Sequence, residues 1–419
     1  MSERPRLLFV SPRYLLPADS GGKIRTGDIL RGMKGGAFHI TLVSPEPEAA
    51  AMQHAGELAA LCDRFVSWPD VARGRLFHYA RLRHLFSNLP IPVVTDRSAA
   101  GSRVIAAELA AAPDLLLVDF THAAILVPDQ VAMPAILFAH NVEAEIFARH
   151  VEVAPSLAHR AIWHNQLGKM RRFERQVLGR FDKVIAVSER DKRQFETEYG
   201  VHAETIPTGV NLDAFTYRAP DRTDPARDIV FTAAMDSYAN IDGIQWFMDE
   251  VWPLVAAREP QARFTIVGRN PEPGLVRAAE RRGLPWRFTG FVEEIQPFVY
   301  ESAVYVIPLR VGGGTRIKAY EAMALGRPIV STGIGVEGLH VEAGRHYLLG
   351  DDAASFAGGV LQLLRDGGLR ARLAADAREL VERHFSATSV ARAFEAICLD
   401  ALRGHAPAAA RHLVSGRAR

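Results

Sequence analysis

The sequence predicts an α/β protein with two doubly wound domains. Short apolar runs recur along both halves of the 419-residue chain, and the stretches between them leave room for a helix. Runs that are apolar on both faces are typical of buried parallel strands, which right-handed helical crossovers connect. The chain is also longer than one hydrophobic core usually supports. We therefore expect the carboxyl ends of the strands of both domains to face a central cleft, where such sheets bind ligands.

The apolar runs give the strands in order. The first half contains RLLFVSP, HITLVSP, DLLLVDF, PAILFAHN and KVIAVSE, and the second half contains DIVFTAAM, ARFTIVGR, WRFTGF, AVYVIPL, RPIVSTG and HYLLGD. They predict a first domain over residues 1–215, a polar, Pro-rich linker over 216–228 and a second domain over 229–386. A final helix over 387–403, capped from FSATS, is expected to cross back to the first domain, and 404–419 to form a disordered tail.

Composition excludes several classes of protein. The chain has 50 Lys and Arg against 48 Asp and Glu, so its net charge of +2 gives no reason to expect a nucleic-acid partner. Cys62 and Cys398 have no metal-ligand spacing, which argues against a disulfide framework or a zinc site and favours a reducing compartment. The early run LLFV is too short for a signal peptide, and no later run is long enough to span a membrane. We expect a cytoplasmic protein.

The stretch VGGGTRIKAYEAMALGRP (residues 311–328) lies between two predicted strands and combines a glycine loop with a helix start. Glycines allow the backbone to approach a ligand closely, and free amides at a helix start suit a phosphate. Arg316 and Lys318 are cations where the positive end of the helix dipole disfavours them, a conflict that a bound dianion would remove. The predicted phosphate site therefore comprises Arg316 and Lys318 with Gly312, Gly313, Gly314 and Thr315.

Glu321 follows Lys318 by three residues and lies on roughly the same face of the predicted helix. A carboxylate offers two acceptor oxygens, which suit the diol of a ribose better than a phosphate. Together the residues predict a site for a nucleoside diphosphate. The alternative is a solvated helix face on which Glu321 and Lys318 form a weak surface ion pair.

The sequence resembles the retaining glycosyltransferases of the GT-B fold, family 4. VGGGTRIKAYEAMALGRPIVST is similar to their donor-binding segment, and FTAAMDSYANIDGIQWF, FTIVGRNP, FTGFVEEI, KVIAVSERD and IPTGVNLDAF extend the similarity over nearly the whole chain. The resemblance implies two Rossmann-like domains and a nucleotide-sugar donor. It also implies that Glu321 is the second Glu of the family's Glu-x7-Glu motif, which binds the donor ribose.

Two positions depart from the family pattern. Gly313 stands where members carry the first Glu of that motif. The segment AAMDSYAN after the first strand of the second domain contains Met235 and Asn240 but none of the basic residues that members use to bind the diphosphate. Our hypothesis is that Arg316 and Lys318 have taken over the neutralisation of the phosphates.

The first domain offers weaker candidates. Gly21 and Gly22, in PADSGGKIRT, could present backbone amides to the donor phosphates, although a glycine pair after a strand is often only a turn. His140, in AHNVEAE at a strand end, could contact the donor sugar near the reacting centre; the alternative is a histidine that caps the next helix. Asp119, at the end of DLLLVDF, could lie in the cleft or cap a helix. In the second domain, the base is expected to stack near Gly290, Phe291 and Val292.

The resemblance implies transfer with retention through an oxocarbenium-like, ion-pair transition state, in which the leaving diphosphate accepts the acceptor's proton. His140, Arg316 and Lys318 are the expected catalytic residues. The sequence has no DxD pair and no metal-ligand spacing, so we expect neither a metal nor another cofactor, and cations and loop amides alone to stabilise the diphosphate.

The acceptor is expected to be a glycan or a lipid-linked glycan in cell-envelope or exopolysaccharide synthesis, by resemblance. Residues 72–86, ARGRLFHYARLRHLF, could contact the inner face of the plasma membrane, or form a packed helix with a basic outer face. The alternatives to a transferase are a GT-B sugar-nucleotide epimerase and a non-catalytic nucleotide-sugar-binding regulator. A dinucleotide-dependent dehydrogenase is disfavoured because no G-x-G-x-x-G follows the first strand.

Overall fold

The chain folds into two compact units. A computed structural model describes residues 4–18, 20–47, 53–70, 81–152, 154, 156–222, 226–311 and 316–404. The first unit comprises Met1–Pro207 together with Val390–Arg419, and the second comprises Thr208–Ser389. Residues 208–215, which the sequence assigned to the first domain, therefore belong with the second unit.

The first unit is built on a seven-stranded parallel sheet with the strand order β3-β2-β1-β4-β5-β6-β7. The five strands predicted in this half are all present. The sheet also has two edge strands, β3 and β7, that the sequence did not predict, because their residues are only partly buried and lack a two-sided apolar run. The strands are β1 Arg6–Val10, β2 His39–Glu46, β3 Arg64–Pro69, β4 Leu115–Asp119, β5 Ala135–Ala139, β6 Lys183–Ala186 and β7 Ala203–Thr205.

Helices cover both faces of this sheet. Along β1, Leu7 and Phe9 pack into one hydrophobic cluster, while Leu8 and Val10 pack into another, as expected for a strand that is buried on both sides. The helices are α1 Gly21–Met33, α2 Ala55–Ala59, α3 Ile91–Thr95, α4 Ala99–Ala110, α5 Glu143–Glu152, α6 Leu157–Leu178 and α7 Glu189–Gln194, with 3₁₀ helices at Arg81–Phe86 and Thr121–Leu126 and a π-helix at Phe195–Tyr199.

The second unit has a six-stranded parallel sheet with the order β10-β9-β8-β11-β12-β13. All six strands predicted in this half are confirmed: β8 Asp228–Thr232, β9 Arg263–Val267, β10 Trp286–Phe288, β11 Val304–Ile307, β12 Ile329–Ser331 and β13 Leu348–Leu349. Its helices are α8 Tyr238–Trp246, α9 Trp252–Ala256, α10 Pro273–Arg281, α11 Gln296–Tyr300, α12 Ile317–Ala324, α13 Ala353–Arg365 and α14 Gly367–His384, with a π-helix at Phe247–Val251 and a 3₁₀ helix at Ile334–Val336.

The last helix, α15 (Ala387–Gly404), belongs mainly to the first unit. Its start is capped by Ser386, whose Oγ accepts a hydrogen bond from the backbone amide of Ser389 at 3.1 Å. Val390, Phe394 and Cys398 then pack into the core of the first unit. The first unit is therefore assembled from the two ends of the chain.

The predicted linker is fastened to the second unit over residues 216–222. The Tyr300 hydroxyl donates to the carbonyl of Thr216 at 2.5 Å, and the Arg327 guanidinium donates to the carbonyl of Arg218 at 2.6 Å. Arg370, with no exposed surface, donates to the carbonyl of Asp221 at 3.0 Å. These bonds hold the segment as part of the second unit, so the passage between units lies further upstream, at residues 207 and 208.

The strand order reverses once in each sheet, between β1 and β4 and between β8 and β11. Ligands of doubly wound sheets bind at the carboxyl ends of the strands on either side of such a reversal. The candidate residues of the second unit lie near Thr232 at the end of β8, and those of the first unit lie around Asp119 at the end of β4. Within the described part of the chain, no helix is long and apolar enough to cross a membrane.

Candidate functional site

The helix predicted within residues 311–328, α12, begins at Ile317, and Arg316 is the residue that precedes it. Gly312, Gly313, Gly314 and Thr315 lie outside the described residues, so their role as a phosphate loop stays a prediction. Only 7% of Arg316 is exposed, and its Nε donates to the carbonyl of Ile334 at 3.1 Å. This bond ties the guanidinium to the 3₁₀ helix that follows β12.

Lys318 lies in the first turn of α12, where the helix dipole disfavours a cation. Its Nζ donates to Oδ1 of Asn240 at 3.1 Å and lies 4.5 Å from the centroid of the Phe231 ring. The amide nitrogen of Asn240 donates to the carbonyl of Ala234 at 2.8 Å, and this bond turns Oδ1 toward the ammonium. Burial, and then the charge of Arg316, lower the pKa of Lys318 to about 7. A bound anion would restore the charge of this amine.

Glu321 lies one turn further along α12. Burial raises the pKa of its carboxyl to about 7, against the opposing effect of Lys318. Among the described residues its oxygens accept no hydrogen bond, and no ion pair joins it to Lys318. The alternative of a surface ion pair therefore does not describe this helix. The two acceptor oxygens of Glu321 are available to a ligand.

Beneath these side chains the floor of the site is built from β8 and β11. The hydroxyl groups of Thr232 and Tyr305 are hydrogen-bonded to each other, and both residues are buried. Burial, and to a lesser extent the charge of Glu321, raise the pKa of Tyr305, so its hydroxyl stays protonated. Sequence reasoning missed Phe231, Thr232 and Tyr305, because apolar strand residues carry no signal that they line a site. It mentioned Asn240 only because the segment that contains it has no basic residue.

The predicted base site lies at the carboxyl end of β10. Gly290 pairs with Gly268 in an isolated antiparallel bridge. A Cβ on Gly268 would lie 1.7 Å from the carbonyl oxygen of Ala233, so only glycine allows the loops after β8 and β9 to approach this closely. Phe291 is 75% exposed, while Val292 is partly buried against the core. The predicted position of the base near these three residues stays a prediction.

In the first unit, Gly21 and Gly22 form the first turn of α1, rather than a loop before it. A Cβ on Gly22 would lie 2.6 Å from Cζ of Phe120. The position of this ring is sufficient to account for a glycine here, whether or not a ligand binds. The contact of these two residues with the donor phosphates stays a prediction. Phe120 itself has a φ of 66°, which is uncommon for an aromatic residue, and its ring stacks on His140 at 4.0 Å.

His140 belongs to a buried hydrogen-bond network, and only 4% of it is exposed. Its Nδ1 lies 3.1 Å from Nη1 of Arg25, and its Nε2 lies 2.7 Å from Oδ1 of Asp119. Because a guanidinium only donates, Nδ1 accepts from Arg25, and Nε2 must carry the proton that it donates to Asp119. Burial lowers the pKa of His140, which keeps the ring neutral.

Asp119 collects the remaining donors of this network. Its carboxylate also accepts hydrogen bonds from the hydroxyl groups of Thr26, at 3.1 Å, and Ser11, at 3.2 Å. The structure thus brings together His140 and Asp119, which the sequence named separately, and adds Arg25 of α1. Both nitrogens of His140 are occupied within the first unit, and its contact with a donor sugar stays a prediction.

His140 does not cap the helix that follows it. The amides of Glu143 and Ala144, at the start of α5, donate to the carboxylate of Glu174 at 2.7 and 3.1 Å. Glu174 also accepts from the Tyr199 hydroxyl at 2.6 Å. Burial raises the pKa of Glu174 to about 7. This capping role was not visible in the sequence, because Glu174 is 31 residues from Glu143.

Two further predictions concern a metal and a membrane. Within the described ranges, no group of three or more His, Cys, Asp or Glu side chains could hold a metal ion. Residues 72–80 of the predicted membrane contact lie outside the described residues. The remainder of that stretch forms the 3₁₀ helix Arg81–Phe86, in which Phe86 is 94% exposed.

Two family models match the chain, one for each sheet. A model described as "Glycosyltransferase Family 4" matches residues 20–214, and a model described as "Glycosyl transferases group 1" matches residues 226–366. The chain belongs to the GT-B glycosyltransferases. The two parallel sheets, each with helices on its faces, are the two Rossmann-like domains expected for this family.

Among curated relatives, this GT-B glycosyltransferase is 29% identical over 240 residues to a phosphatidyl-myo-inositol mannosyltransferase of Mycobacterium leprae. That alignment covers 55% of this chain and 62% of the relative, so the match spans less than two thirds of its length. Solved structures of similar fold include sucrose-phosphate synthase from Thermosynechococcus elongatus, with a TM-score of 0.65 and 18% identity over 96% of this chain and all of that one.

A second structural neighbour is HepE of Anabaena, solved in complex with UDP-glucose. Its TM-score is 0.63 at 14% identity, over 94% of this chain and 99% of that one. Identities this low establish the shared fold alone. What these neighbours bind is a property of those proteins.

Proposed function

We propose that the protein is a retaining, metal-independent glycosyltransferase of family 4, which transfers a sugar from a nucleoside-diphosphate sugar to a glycan or lipid-linked acceptor. The observation that carries this proposal is the start of α12. There Lys318, an ammonium with a lowered pKa, and Glu321, a carboxylate that accepts no hydrogen bond from the described residues, lie one turn apart at the carboxyl edge of the second sheet. The mannosyltransferase relative and the neighbour that binds UDP-glucose support this class of donor.

In the proposed complex the diphosphate lies between Arg316 and Lys318. Two cations of the same helix start are then neutralised by one ligand, and the phosphate charge restores the proton of Lys318. Asn240 holds the ammonium in place, since its Oδ1 accepts from Nζ at 3.1 Å. Glu321 accepts hydrogen bonds from the two ribose hydroxyls through its two carboxylate oxygens.

In the proposed transfer, the bond between the anomeric carbon and the phosphate oxygen breaks, and the electron pair stays on the diphosphate. The acceptor hydroxyl then attacks the same face of the oxocarbenium-like sugar, and its proton moves to a phosphate oxygen of the leaving group. Arg316 and Lys318 stabilise the negative charge that develops on that group, and no metal ion is required. Cell-envelope or exopolysaccharide synthesis is the setting that the family resemblance favours.

Binding of UDP, GDP and ADP to the purified protein, measured by calorimetry, tests the donor site. For the nucleotide that binds, Lys318→Met is expected to weaken binding at least tenfold, about 1.4 kcal/mol or more, because a charge-assisted contact is lost. The exposed Arg277→Met, on α10 of the same unit, is the matched control and should leave affinity unchanged. Unchanged affinity in both Lys318→Met and Arg316→Ala would show that the phosphates bind elsewhere.

The ribose contact has its own test. The wild type is expected to bind the 2′-deoxy form of the preferred nucleotide about tenfold more weakly than the ribose form. Glu321→Gln should lose most of this preference, while the exposed Glu280→Gln keeps it. Equal discrimination in the wild type and Glu321→Gln would remove Glu321 from the ribose site.

Product analysis with sugar nucleotides tests the reaction. A free nucleoside diphosphate, together with a glycoside whose anomeric configuration matches the donor, is the expected result, in the presence of EDTA as in its absence. An altered sugar nucleotide would instead identify an epimerase. Binding without turnover, across donors and glycan acceptors, would indicate a regulator.

A further inference from the structure

Two histidines pack beside the ring of Phe120, which follows β4 at the point where the strand order of the first sheet reverses. The ring centroid of His140 lies 4.0 Å from that of Phe120, and the centroid of His122 lies 5.3 Å from it. Both nitrogens of His140 are bonded to protein groups, one to Arg25 and one to Asp119. His122 differs from His140 in this respect, and neither the sequence nor the candidate site assigns it a role.

The imidazole of His122 has one polar partner within the described part of the chain, the carboxylate of Asp96. Its Nε2 is enclosed and lies 3.3 Å from Oδ2 of Asp96, without the alignment of a hydrogen bond. A lone pair on Nε2 would face a carboxylate oxygen, so the proton of the neutral ring belongs on Nε2 and Nδ1 is an acceptor. Among the described residues Nδ1 forms no hydrogen bond, and unlike Nε2 it is not enclosed.

The charge state of His122 limits what it can bind. Burial, opposed by the charge of Asp96 and assisted by that of Arg13, lowers the pKa of His122 to about 4. At pH 7 only about one molecule in a thousand then carries an imidazolium at this position. A neutral acceptor nitrogen beside a carboxylate repels a phosphate or a carboxylate ligand. It suits a hydroxyl group, which can donate a hydrogen bond to it.

Arg13, in the loop after β1, supplies hydrogen-bond donors near this acceptor. Its guanidinium lies 5.3 Å from the centroid of the Phe120 ring, a cation–π contact that holds it there, and its charge acts on the pKa of His122. Arg13 is exposed, and its side chain forms no hydrogen bond or ion pair with the described residues. An acceptor and several donors around one ring match the hydroxyl groups of a sugar, since each hydroxyl both donates and accepts.

The turn that carries His122 is also strained. Phe120 has a φ of 66° and a ψ of 138°, a conformation that glycine adopts far more readily. The next residue, Thr121, has an enclosed hydroxyl oxygen without a hydrogen bond, as His122 has an enclosed nitrogen. Strain and unsatisfied polar atoms are rare in well-packed proteins, and they cluster at sites that bind a ligand.

We propose that His122, held by Asp96, accepts a hydrogen bond from one hydroxyl of a neutral sugar, while Arg13 donates to a neighbouring hydroxyl. We call His122, Arg13 and Asp96 the sugar site. His122 and Arg13 contact the sugar, and Asp96 is a positioning residue that selects the tautomer of His122. A nucleoside diphosphate needs cations for its phosphates, whereas the sugar site offers one cation beside the carboxylate of Asp96, so the two substrates are distinguished by charge.

The sugar site is argued from the first unit alone, and the identity of its sugar as the acceptor rests on the proposed function. In that reaction the hydroxyl on Nδ1 of His122 is the one that attacks the anomeric carbon. Because His122 scarcely binds a proton at pH 7, the proton of this hydroxyl still passes to the leaving diphosphate. His122 thus orients the attacking oxygen and does not act as the base.

NMR of the protein labelled with nitrogen-15 histidine tests the sugar site without turnover. The His122 signals, assigned by their loss in His122→Asn, are expected to show a protonated Nε2 and an unprotonated Nδ1 at pH 7. Methyl glycosides of glucose, galactose and mannose are the probes, and at least one of them should shift the Nδ1 signal. A ring protonated on Nδ1, or an Nδ1 signal that none of the probes shifts, would overturn the proposal.

Two variants of similar shape separate hydrogen bonding from packing. His122→Leu removes the acceptor and should lower kcat/KM for the sugar acceptor at least about tenfold, whereas His122→Asn keeps an acceptor oxygen near the position of Nδ1 and should retain most of it. Asp96→Asn should also lower this value about tenfold, because an amide no longer selects one tautomer. Nucleoside diphosphate affinity and circular dichroism should stay unchanged in all three. The exposed His164→Leu is the matched control.

The outcomes distinguish the sugar site from the proposed transfer. Equal loss in His122→Leu and His122→Asn would show that the ring acts by packing alone and would overturn the role of His122. A shift of Nδ1 by a glycoside, in a protein that transfers no sugar to any acceptor, would refute the transfer and support the sugar site.

Discussion

Lys318 shows at the scale of one residue why this helix start is suited to an anion. Its ammonium has one amide oxygen and one aromatic face as partners, and burial with the neighbouring Arg316 lowers its pKa to about 7. In the unfolded chain its pKa would be near 10.5. Between these two values the unfolded state binds more protons, so Lys318 makes folding less favourable as the pH falls from about 10.5 to about 7. Such a cost is typical of residues retained for a ligand.

Nucleoside diphosphate binding should therefore be accompanied by proton uptake. At pH 8 the free amine is mostly neutral, and the phosphates raise its pKa, so up to one proton is taken up per ligand. Calorimetry in buffers of different ionisation enthalpy measures this number directly. Lys318→Arg stays charged at all pH values studied and should bind without uptake, whereas Glu321→Gln should keep it. Uptake that survives in Lys318→Arg would assign the proton to another group.

The residues that the sequence could name are those that lie close together on one helix. Arg316, Lys318 and Glu321 follow from helical spacing, and the structure places all three at or in the start of α12. Asn240 lies 78 residues from Lys318, and Arg25 lies 115 residues from His140. Contacts over such separations depend on strand order, which a single sequence does not specify. The tautomer of His140 could not be predicted either, because it follows from the contact with Arg25.

At the scale of elements, helix α1 contains two glycines under different packing constraints. The space for a side chain on Gly22 is taken by the ring of Phe120, which is itself stacked on His140, while the predicted contact of Gly22 with the donor phosphates stays a prediction. Gly27, one turn and a half further along the same helix, has no atom within 4 Å of where its Cβ would lie. Packing therefore leaves room for a side chain at position 27 but not at position 22.

Substitution by alanine should have opposite effects on stability at positions 22 and 27. Gly27→Ala is expected to stabilise the protein by roughly 0.5–1 kcal/mol, since alanine favours the helix. Gly22→Ala should gain the same helix propensity but displace Phe120, with a net loss of about 1–2 kcal/mol. Urea unfolding of both variants gives the comparison. If Gly22→Ala were as stable as Gly27→Ala, the contact with Phe120 would not be limiting.

Strand prediction succeeded for the buried strands and for the partly exposed edge strands β10 and β13, and it failed at two other edges. Each of the eleven apolar runs quoted from the sequence is a strand or contains one. The two strands that were missed, β3 and β7, are the edges of the first sheet and have partly exposed residues. An edge strand needs hydrogen bonds from one side only and less apolar surface, so its sequence resembles that of a loop.

At the scale of the whole molecule, the core of the first unit depends on the end of the chain. Phe394, on α15, has no exposed surface, and its ring lies 5.1 Å from that of Phe138 on β5. Phe394→Ala should destabilise the first unit by about 3–5 kcal/mol, while the exposed Arg392→Ala on the same helix changes stability by less than about 0.5 kcal/mol.

Hydrogen exchange read by mass spectrometry can locate this effect. In Phe394→Ala, peptides from β1 and β5 should exchange faster, and peptides from β8 and β11 should exchange as in the wild type. Equal acceleration in both sets would mean that the two units unfold together.

The placement of α15 has a consequence for how the protein is made. Because its last helix completes the unit that its first residues begin, the second unit is an insertion in the first, even though its own strands are contiguous in sequence. During synthesis, the strands of the first sheet leave the ribosome before Thr208–Ser389, and most of α15 leaves it only afterwards. The first unit is thus completed only after the second unit has been translated, and during that interval the apolar side chains that pack against α15 stay uncovered.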